Sequence, residues 1–338
     1  MRNSLQLHDP AYVSKLAAQV SLPYKKSEEP QIVRTNGTLS VRFVAGSDGL
    51  PYGKYPRLME MWLTTMIKTG NDCYDPRTRT MKLGGTFRAF MRLIGAEIGG
   101  NSMKQWRAQL ERLFGCSYVI TNNNDAESHG AAFTVASEWH IDWLRSEPQE
   151  DALFENTVVL TQGYVAKLEE NPVPINLRIV AELTKPMALD IYAWLTRRYS
   201  YLREPQSISW QQLSEQFGST SATMKRFRQS FKRALADVQT VYPQAKVVCG
   251  TKGITLFPSA TSVPTAREKA ATQISARMER KAARTAKESL SEADITEALS
   301  YIENLGDDYL PIRRRIIALL KVGYSPREVS DQIEKERK

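Results

Sequence analysis

Residues 210–241 of the chain read WQQLSEQFGSTSATMKRFRQSFKRALADVQTV. The pattern predicts a short helix over Trp210–Phe217, a break at Gly218 and a longer helix over Thr220–Val241, for which Ser219 is the predicted N-cap. Large apolar side chains recur on one face of the longer helix: Met224, Phe227, Phe231, Leu235 and Val238. The stretch therefore predicts two helices separated by a tight break, of which the second is amphipathic.

The flanking sequence extends this pair into a domain. A long helix is predicted over Pro186–Leu202, and strand-like segments Ala245–Cys249 and Ile254–Phe257 flank a turn at Gly250–Gly253. Helices followed by a hairpin are the order of a winged helix. We therefore expect residues 150–258 to form a winged-helix DNA-binding domain, which begins with a strand at Thr157–Leu160.

The same order occurs earlier in the chain. Helices are predicted from Pro56, over Thr86–Ile94 and over Ser102–Phe114, and a hairpin is predicted with its polar tip at residues 122–129. An Asn36-Gly37 turn predicts another hairpin ahead of them. Residues 31–145 are therefore expected to form a first winged-helix-like domain, and the fold class is α+β with tandem winged-helix domains.

Three further segments surround these domains. Residues 1–30 are polar and rich in proline, which predicts an N-terminal arm with a short helical stretch around Ala11–Val20. Residues 259–290 are predicted to form a linker and a basic helix. Residues 291–338 are predicted to form a small helical tail, in which a capping box at Ser325 begins the last helix.

Composition favours a polyanionic partner. The 338 residues are 42% hydrophobic and carry a formal net charge of +9, and basic groups near phosphates release condensed counterions. The three cysteines lie far apart without metal-ligand spacing, and no apolar stretch reaches the length of a membrane span. We expect a soluble cytoplasmic protein that binds nucleic acid and no membrane.

Two predicted helices present basic and amide side chains opposite their apolar face. Arginine and glutamine can bond to base edges in the major groove, whereas lysine and flanking arginines can hold phosphates. The alternative is that such a face is only solvated. The candidate DNA-binding residues are Lys104, Gln105, Arg107 and Arg112 in the first domain, and Lys225, Arg226, Arg228, Gln229, Lys232, Arg233 and Lys252 in the second.

The sequence offers no pattern for catalysis. It lacks the glycine-rich P-loop motif, and its three histidines, His8, His129 and His140, are scattered rather than paired as metal ligands. We expect a protein that is not an enzyme and that has no catalytic residues, no metal site and no cofactor.

Several long motifs resemble the plasmid-encoded RepA family of replication initiators. They are Gly49-Leu50-Pro51-Tyr52-Gly53-Lys54-Tyr55-Pro56-Arg57-Leu58, Leu83-Gly84-Gly85-Thr86-Phe87-Arg88, Asn171-Pro172-Val173-Pro174-Ile175-Asn176, and Ala188-Leu189-Asp190-Ile191-Tyr192-Ala193-Trp194. Further matches around Trp210, Phe227 and Phe231 extend the resemblance over residues 49–258.

The resemblance implies an initiator that binds repeated double-stranded origin sites (iterons) on a plasmid and opens the adjacent AT-rich DNA. It also implies recruitment of a host initiator and the replicative helicase, and a homodimer that represses its own gene. Two other interpretations stay open from the residues alone. One is a tandem winged-helix transcription regulator, and the other is a DNA-processing enzyme, a primase or nuclease.

Overall fold

The structure, a computed structural model, describes residues 10–96, 100–123, 127–141, 156–218, 223–264, 278, 294–301, 309–322 and 324–337. The chain divides into two compact units, Met1–Pro264 and Thr265–Lys338. Helices and sheets are mixed throughout the first unit, which confirms the predicted α+β class.

The first half of unit one contains two antiparallel four-stranded sheets and four helices. The helices are α1 (Lys54–Thr69), α2 (Gly85–Leu93), α3 (Gly100–Phe114) and α4 (Gln162–Glu169). The strands are β1 (Pro10–Val13), β2 (Gln31–Asn36), β3 (Leu39–Val44), β4 (Tyr74–Asp75), β5 (Thr80–Lys82), β6 (Ser117–Asn123), β7 (Ser128–Thr134), β8 (Ala136–His140) and β9 (Thr157–Leu160). The two sheets have the orders β2-β3-β6-β7 and β4-β5-β9-β8.

The second half repeats part of this arrangement. Its helices are α5 (Leu177–Glu182), α6 (Pro186–Tyr199), α7 (Trp210–Phe217) and α8 (Met224–Val241). Its strands are β10 (Val173–Asn176), β11 (Gln206–Ser209), β12 (Val247–Cys249) and β13 (Gly253–Leu256). Strand β10 pairs with β1, whereas the other three form a sheet of order β11-β13-β12.

Helices and strands follow one another in a similar order in the two halves, and in each half three of the strands belong to one sheet. In the first half the order is α1, β5, α2, α3, β8, β9, and in the second half it is α6, β11, α7, α8, β12, β13. In both, the last strand lies between the other two, as β5-β9-β8 and β11-β13-β12. The two halves therefore share this order of elements when β4, β6 and β7 of the first half are left aside.

Two details of the first half differ from the expectation. The hairpin predicted around residues 122–129 exists as β6 and β7, but β6 pairs with β3 in the other sheet. In the first half, β8 and β9 occupy the position that β12 and β13 occupy in the second half. Strand Thr157–Leu160, expected at the start of the second domain, therefore completes a sheet of the first half.

The described part of the N-terminal segment, residues 10–30, is not a polar arm. Instead of a helix around Ala11–Val20, it contains β1, which pairs in antiparallel register with β10 from Pro10↔Asn176 to Val13↔Val173. Ala11, Val13 and Leu22 are at most 4% exposed. This expectation was wrong because the prolines and polar residues that indicated an arm lie beside apolar residues that pack into the core.

One hydrophobic core runs through unit one, from Ala11 to Leu256. Its largest fully buried side chains come from both halves, including Trp62 and Trp106 from the first and Trp194 and Trp210 from the second. Burial of such aromatic side chains contributes about 1.5–3 kcal/mol each. The core thus joins the two halves rather than separating them.

Unit two is helical over its described residues. A helical segment covers residues 294–300 and is followed by α9 (Tyr309–Val322) and α10 (Pro326–Arg337). The predicted capping box is confirmed, since the Ser325 backbone N–H donates to Glu328 Oε2 at 2.9 Å and the Glu328 backbone N–H donates to Ser325 Oγ at 3.5 Å. Except for Met278, the predicted basic helix at residues 266–290 lies outside the described residues.

Candidate nucleic-acid interface

Helix α8 is amphipathic, as predicted, but begins later than expected. Its N-cap is Thr223, whose side chain accepts a hydrogen bond from the Arg226 backbone N–H at 3.4 Å. Ser219, the predicted N-cap, lies outside the described residues. Phe227, Phe231 and Val238 are at most 1% exposed. These contacts fix which face of the helix points to solvent.

The outer face of α8 carries every candidate side chain that the sequence placed there. These exposed side chains are Lys225, Arg226, Arg228, Gln229, Lys232 and Arg233. No carboxylate among the described residues forms an ion pair with any of them. An uncompensated row of cations on a rigid helix is an electrostatic match for a nucleic-acid backbone.

Trp210 joins this face to the turn between β12 and β13. Its ring lies under the Arg228 guanidinium, 5.9 Å from the centroid, and under Lys232 Nζ, at 5.6 Å. Its indole Nε1–H donates to the Gly250 carbonyl at 3.3 Å, and its backbone N–H donates to the Lys252 carbonyl at 3.1 Å. Arg228 and Lys232 are thus directed towards the turn that carries the exposed Lys252.

Three other candidates on α8 lie on the neighbouring strip of the helix surface, whereas Lys225 lies on the same strip as Arg228 and Lys232. Arg226, Gln229 and Arg233 are three or four residues apart, so they lie along one strip of the helix surface. The structure therefore divides the α8 candidates into a central strip and a flank beside Trp210. Sequence analysis assigned no role to Trp210, whose aromatic ring ahead of a basic helix was the available signal.

The candidates on α3 are less uniform. Lys104, Gln105 and Arg107 are exposed, and Arg107 Nε forms an ion pair with Glu111 Oε1 at 2.9 Å. The Arg112 guanidinium instead lies over the Tyr52 ring, 5.2 Å from its centroid, and Nη1 donates to the Leu50 carbonyl at 3.5 Å. Arg112 thus holds the loop before α1.

That loop and α1 anchor a buried ion pair between the halves. Arg57 Nε and Nη2 donate to the two carboxylate oxygens of Asp190 at 2.7 and 2.8 Å. Arg57 also donates to the carbonyls of Leu22, Pro23 and Gly53 at 2.6, 3.2 and 2.6 Å. Gly53 has φ 77°, which favours glycine at this N-cap. Both charged residues are under 10% exposed.

A second buried carboxylate lies one turn along α1. Glu60 is 4% exposed, and its Oε1 accepts hydrogen bonds from the Tyr118 and Tyr164 hydroxyls at 2.9 and 3.1 Å. Burial raises the pKa of Glu60 to about 7, although both hydrogen bonds act in the opposite direction. The residue was not found from the sequence because it is a single carboxylate between two apolar residues of α1, Met59 and Met61.

The comparison with protein families decides the relationship of this segment. Residues 50–212 match the family model described as plasmid encoded RepA protein. These residues belong to the plasmid-encoded RepA family. The match includes both Arg57 and Asp190, so two motifs that are distant in the sequence meet as one ion pair in the RepA segment. Helix α8 lies beyond residue 212, outside the RepA match.

The comparison with solved structures finds two crystal structures of one protein, RctB. One is a crystal structure of RctB domains 2–3, RctB-155-483, with 11% identity and a TM-score of 0.43, covering 71% of this chain and 94% of that one. Another is a crystal structure of SeMet derivatives of domain 2 and domain 3 of RctB, with 10% identity and a TM-score of 0.47, covering 72% and 96%. No curated protein matches the chain.

The described residues contain neither a membrane-spanning helix nor a metal-binding cluster. No helix among them is long and apolar enough to cross a membrane. Within the same residues, no group of three or more His, Cys, Asp or Glu side chains is placed to hold a metal ion.

Proposed function

We propose that this chain is a plasmid replication initiator that binds double-stranded origin DNA sequence-specifically through two winged-helix units. The observation that carries the proposal is the outer face of α8, where a strip of Arg226, Gln229 and Arg233 lies beside two cations ordered on Trp210. In a recognition helix that lies in the major groove, such a strip would contact base edges and the flanking cations would contact phosphates.

The topology supports the winged-helix assignment. A helix, a strand, two helices and an antiparallel pair of strands, with the last strand between the other two, occur in this order in both halves, and in the first half β6 and β7 stand between α3 and that pair. Under this proposal α8 and the turn at Lys252 are the recognition helix and wing of the second unit, whereas α3 is the recognition helix of the first. Lys104, Gln105 and Arg107 are its DNA contacts, and Arg112 supports them by holding the Tyr52 loop.

Membership of residues 50–212 in the RepA family supports the replication role. The proposal includes binding at repeated origin sites, local opening of the DNA, and recruitment of a host initiator and the replicative helicase. It also includes a homodimer that represses the gene of the protein. Catalysis has no part in this proposal, since binding several adjacent sites and bending the duplex can supply the opening energy.

The first experiment locates the site and then divides the two classes of contact on α8. Footprinting on the DNA around the gene identifies the bound sequence, and affinities are then measured for this site and for unrelated duplex. Arg226→Ala should lose about 1–3 kcal/mol on the specific site and much less on unrelated DNA, because a base contact carries sequence information. Lys232→Ala should weaken both about equally.

Arg178→Ala is the matched control, because this exposed arginine lies on α5 outside the proposed interface. It should leave both affinities close to those of the wild type. If Arg226→Ala and Gln229→Ala bind the specific site like the wild type, α8 is a solvated face and the proposed interface is wrong. Protected direct repeats beside an AT-rich tract distinguish an initiator from a transcription regulator, whose sites would lie at a promoter.

A further inference from the structure

A second basic surface lies at the C-terminal end of α6. We name it the α6-end patch and define it by Arg197, Arg198, Tyr201 and Arg203, which follow one another within the last turn of α6 and the loop to β11. Tyr201 is 45% exposed. None of the candidate DNA-binding residues inferred from the sequence belongs to this patch.

The two α6 guanidinium groups are ordered by aromatic rings rather than by acids. Arg197 lies over Tyr201 at 5.2 Å from the ring centroid, and its Nη1 donates to the Tyr201 hydroxyl at 3.0 Å. Arg198 lies 5.8 Å from the Trp194 ring centroid and 6.0 Å from that of Tyr201. No carboxylate among the described residues pairs with either arginine. Both arginines are half-buried, and their positive charge, which no acid there neutralises, is available to a ligand.

The patch lies at the opposite end of the sheet from the turn that carries Lys252. Arg198 Nη1 donates to Gln206 Oε1 at 3.1 Å, and Gln206 is the first residue of β11. The other end of β11, at Ser209, pairs with Gly253 beside the turn. A strand of four residues separates the two ends by about 10 Å. The patch is therefore separated along β11 from the turn that carries Lys252.

We propose that the α6-end patch binds single-stranded DNA. Ordered guanidinium planes beside an exposed tyrosine can stack on the faces of unpaired bases while the positive charge contacts phosphates. In a duplex these base faces are covered by neighbouring pairs, so planar stacking groups gain nothing there. The inference is independent of α8, and it assigns a contact for DNA strands that have been separated.

The test compares a single-stranded probe with a duplex probe by fluorescence anisotropy with the full-length protein. The probes are an oligo-dT of about 16 nucleotides, within the range of known single-strand sites, and a duplex of unrelated sequence and equal length. The double variant Arg197→Ala/Arg198→Ala should bind oligo-dT about tenfold more weakly, because stacking on a base contributes about that much. Its affinity for the duplex should change little.

The charge-preserving variant Arg197→Lys/Arg198→Lys distinguishes stacking from attraction between charges. Lysine keeps the charge but lacks the plane, so this variant should also bind oligo-dT weakly. Lys232→Ala should show the opposite selectivity and lose duplex affinity only, so that failure of the α8 proposal is detected separately. Circular dichroism confirms folding of each variant. Equal losses on both probes, full retention by the lysine variant, or no loss at all would each overturn the proposal.

Discussion

At the scale of single residues, Glu60 is the feature with the clearest consequence. A carboxylate placed in a core is costly in its charged form, and the two tyrosine hydroxyls compensate only part of that cost. Besides Tyr118 and Tyr164, Arg57 and Asp190 also act electrostatically on the pKa of Glu60. A cavity of about 20 Å³ borders Glu60, Arg57 and Asp190. The residue therefore couples the fold to pH.

Replacement of Glu60 by Gln should flatten the pH dependence of stability. The folded-state pKa of about 7 lies above the ordinary value of 4.5, so the stability that Glu60 contributes is fully present below pH 4.5 and is lost as pH rises through 7. At about 1.4 kcal/mol per pKa unit, the loss is about 3 kcal/mol. The Gln side chain stays uncharged and keeps an oxygen that can accept hydrogen bonds from the Tyr118 and Tyr164 hydroxyls.

Urea unfolding of wild type and Glu60→Gln at several pH values from 5 to 8 measures this difference. The wild type should lose stability relative to the variant as pH rises. Glu111→Gln, in which the carboxylate is paired with Arg107 at the surface, is the control and should follow the wild type. Parallel curves for wild type and Glu60→Gln would show that Glu60 does not titrate in this range.

At the scale of elements, the helices were predictable and much of the sheet structure was not. The apolar stripe of α8 depends on residues within one segment, so its C-terminal end at Val241 follows from the sequence. Strand β1 exists through pairing with β10, about 160 residues along the chain, and no local pattern reports such a partner. Strand β5 is three residues long, which is too short for a period-two pattern.

The same difference applies to the candidate site. A helical projection places Arg112 on the outer face of α3, as predicted, but it cannot show that Tyr52 lies over the side chain. Trp210 was visible only as an apolar residue of α7, because the turn that it contacts lies about 40 residues later. Local periodicity thus identifies the face of α8, whereas the joining of that face to the turn requires the structure.

The close contact of β13 with β11 gives a prediction for an element boundary. A Cβ on Gly253 would lie 2.8 Å from the Ile208 carbonyl carbon and from Ser209 Cα, which are backbone atoms that cannot move aside. Gly253→Ala should therefore lower the free energy of unfolding by about 1–3 kcal/mol. Displacement of the turn should also weaken duplex binding.

Gly85→Ala is the matched glycine substitution, because a Cβ there meets nothing within 4 Å. It lies at the start of α2 and should be neutral or stabilise the fold by up to about 1 kcal/mol. Chemical denaturation of both variants, followed by anisotropy titration with duplex DNA, measures the two effects. Equal stability of the two variants would mean that β11 yields to a side chain at residue 253.

At the scale of the whole molecule, residues 10–264 unite two topologically similar halves in one core. The N-terminal segment contributes to this union, since β1 pairs with β10 and the Leu22 and Pro23 carbonyls bind Arg57. The Arg57–Asp190 pair crosses directly from α1 to α6. If both halves bind DNA as proposed, a fixed spacing between them would let the protein measure the distance between two sets of bases on one duplex.

Loss of this ion pair should therefore destabilise both halves of unit one by the same amount, because they unfold as one cooperative unit. Asp190→Asn leaves the buried Arg57 charge without its partner, which should cost about 3–5 kcal/mol. Hydrogen exchange of the slowest amides measures the loss separately in α1 and in α8, and we expect the same decrease in both, because one cooperative unit has one free energy of global opening. Asp237→Asn is the control: its pair with Lys185 is exposed, so the change should stay below about 1 kcal/mol. A loss of protection confined to the second half, residues 173–256, would instead show that the halves unfold independently, and the spacing of the two proposed DNA-binding units would then depend on the bound DNA rather than on the core.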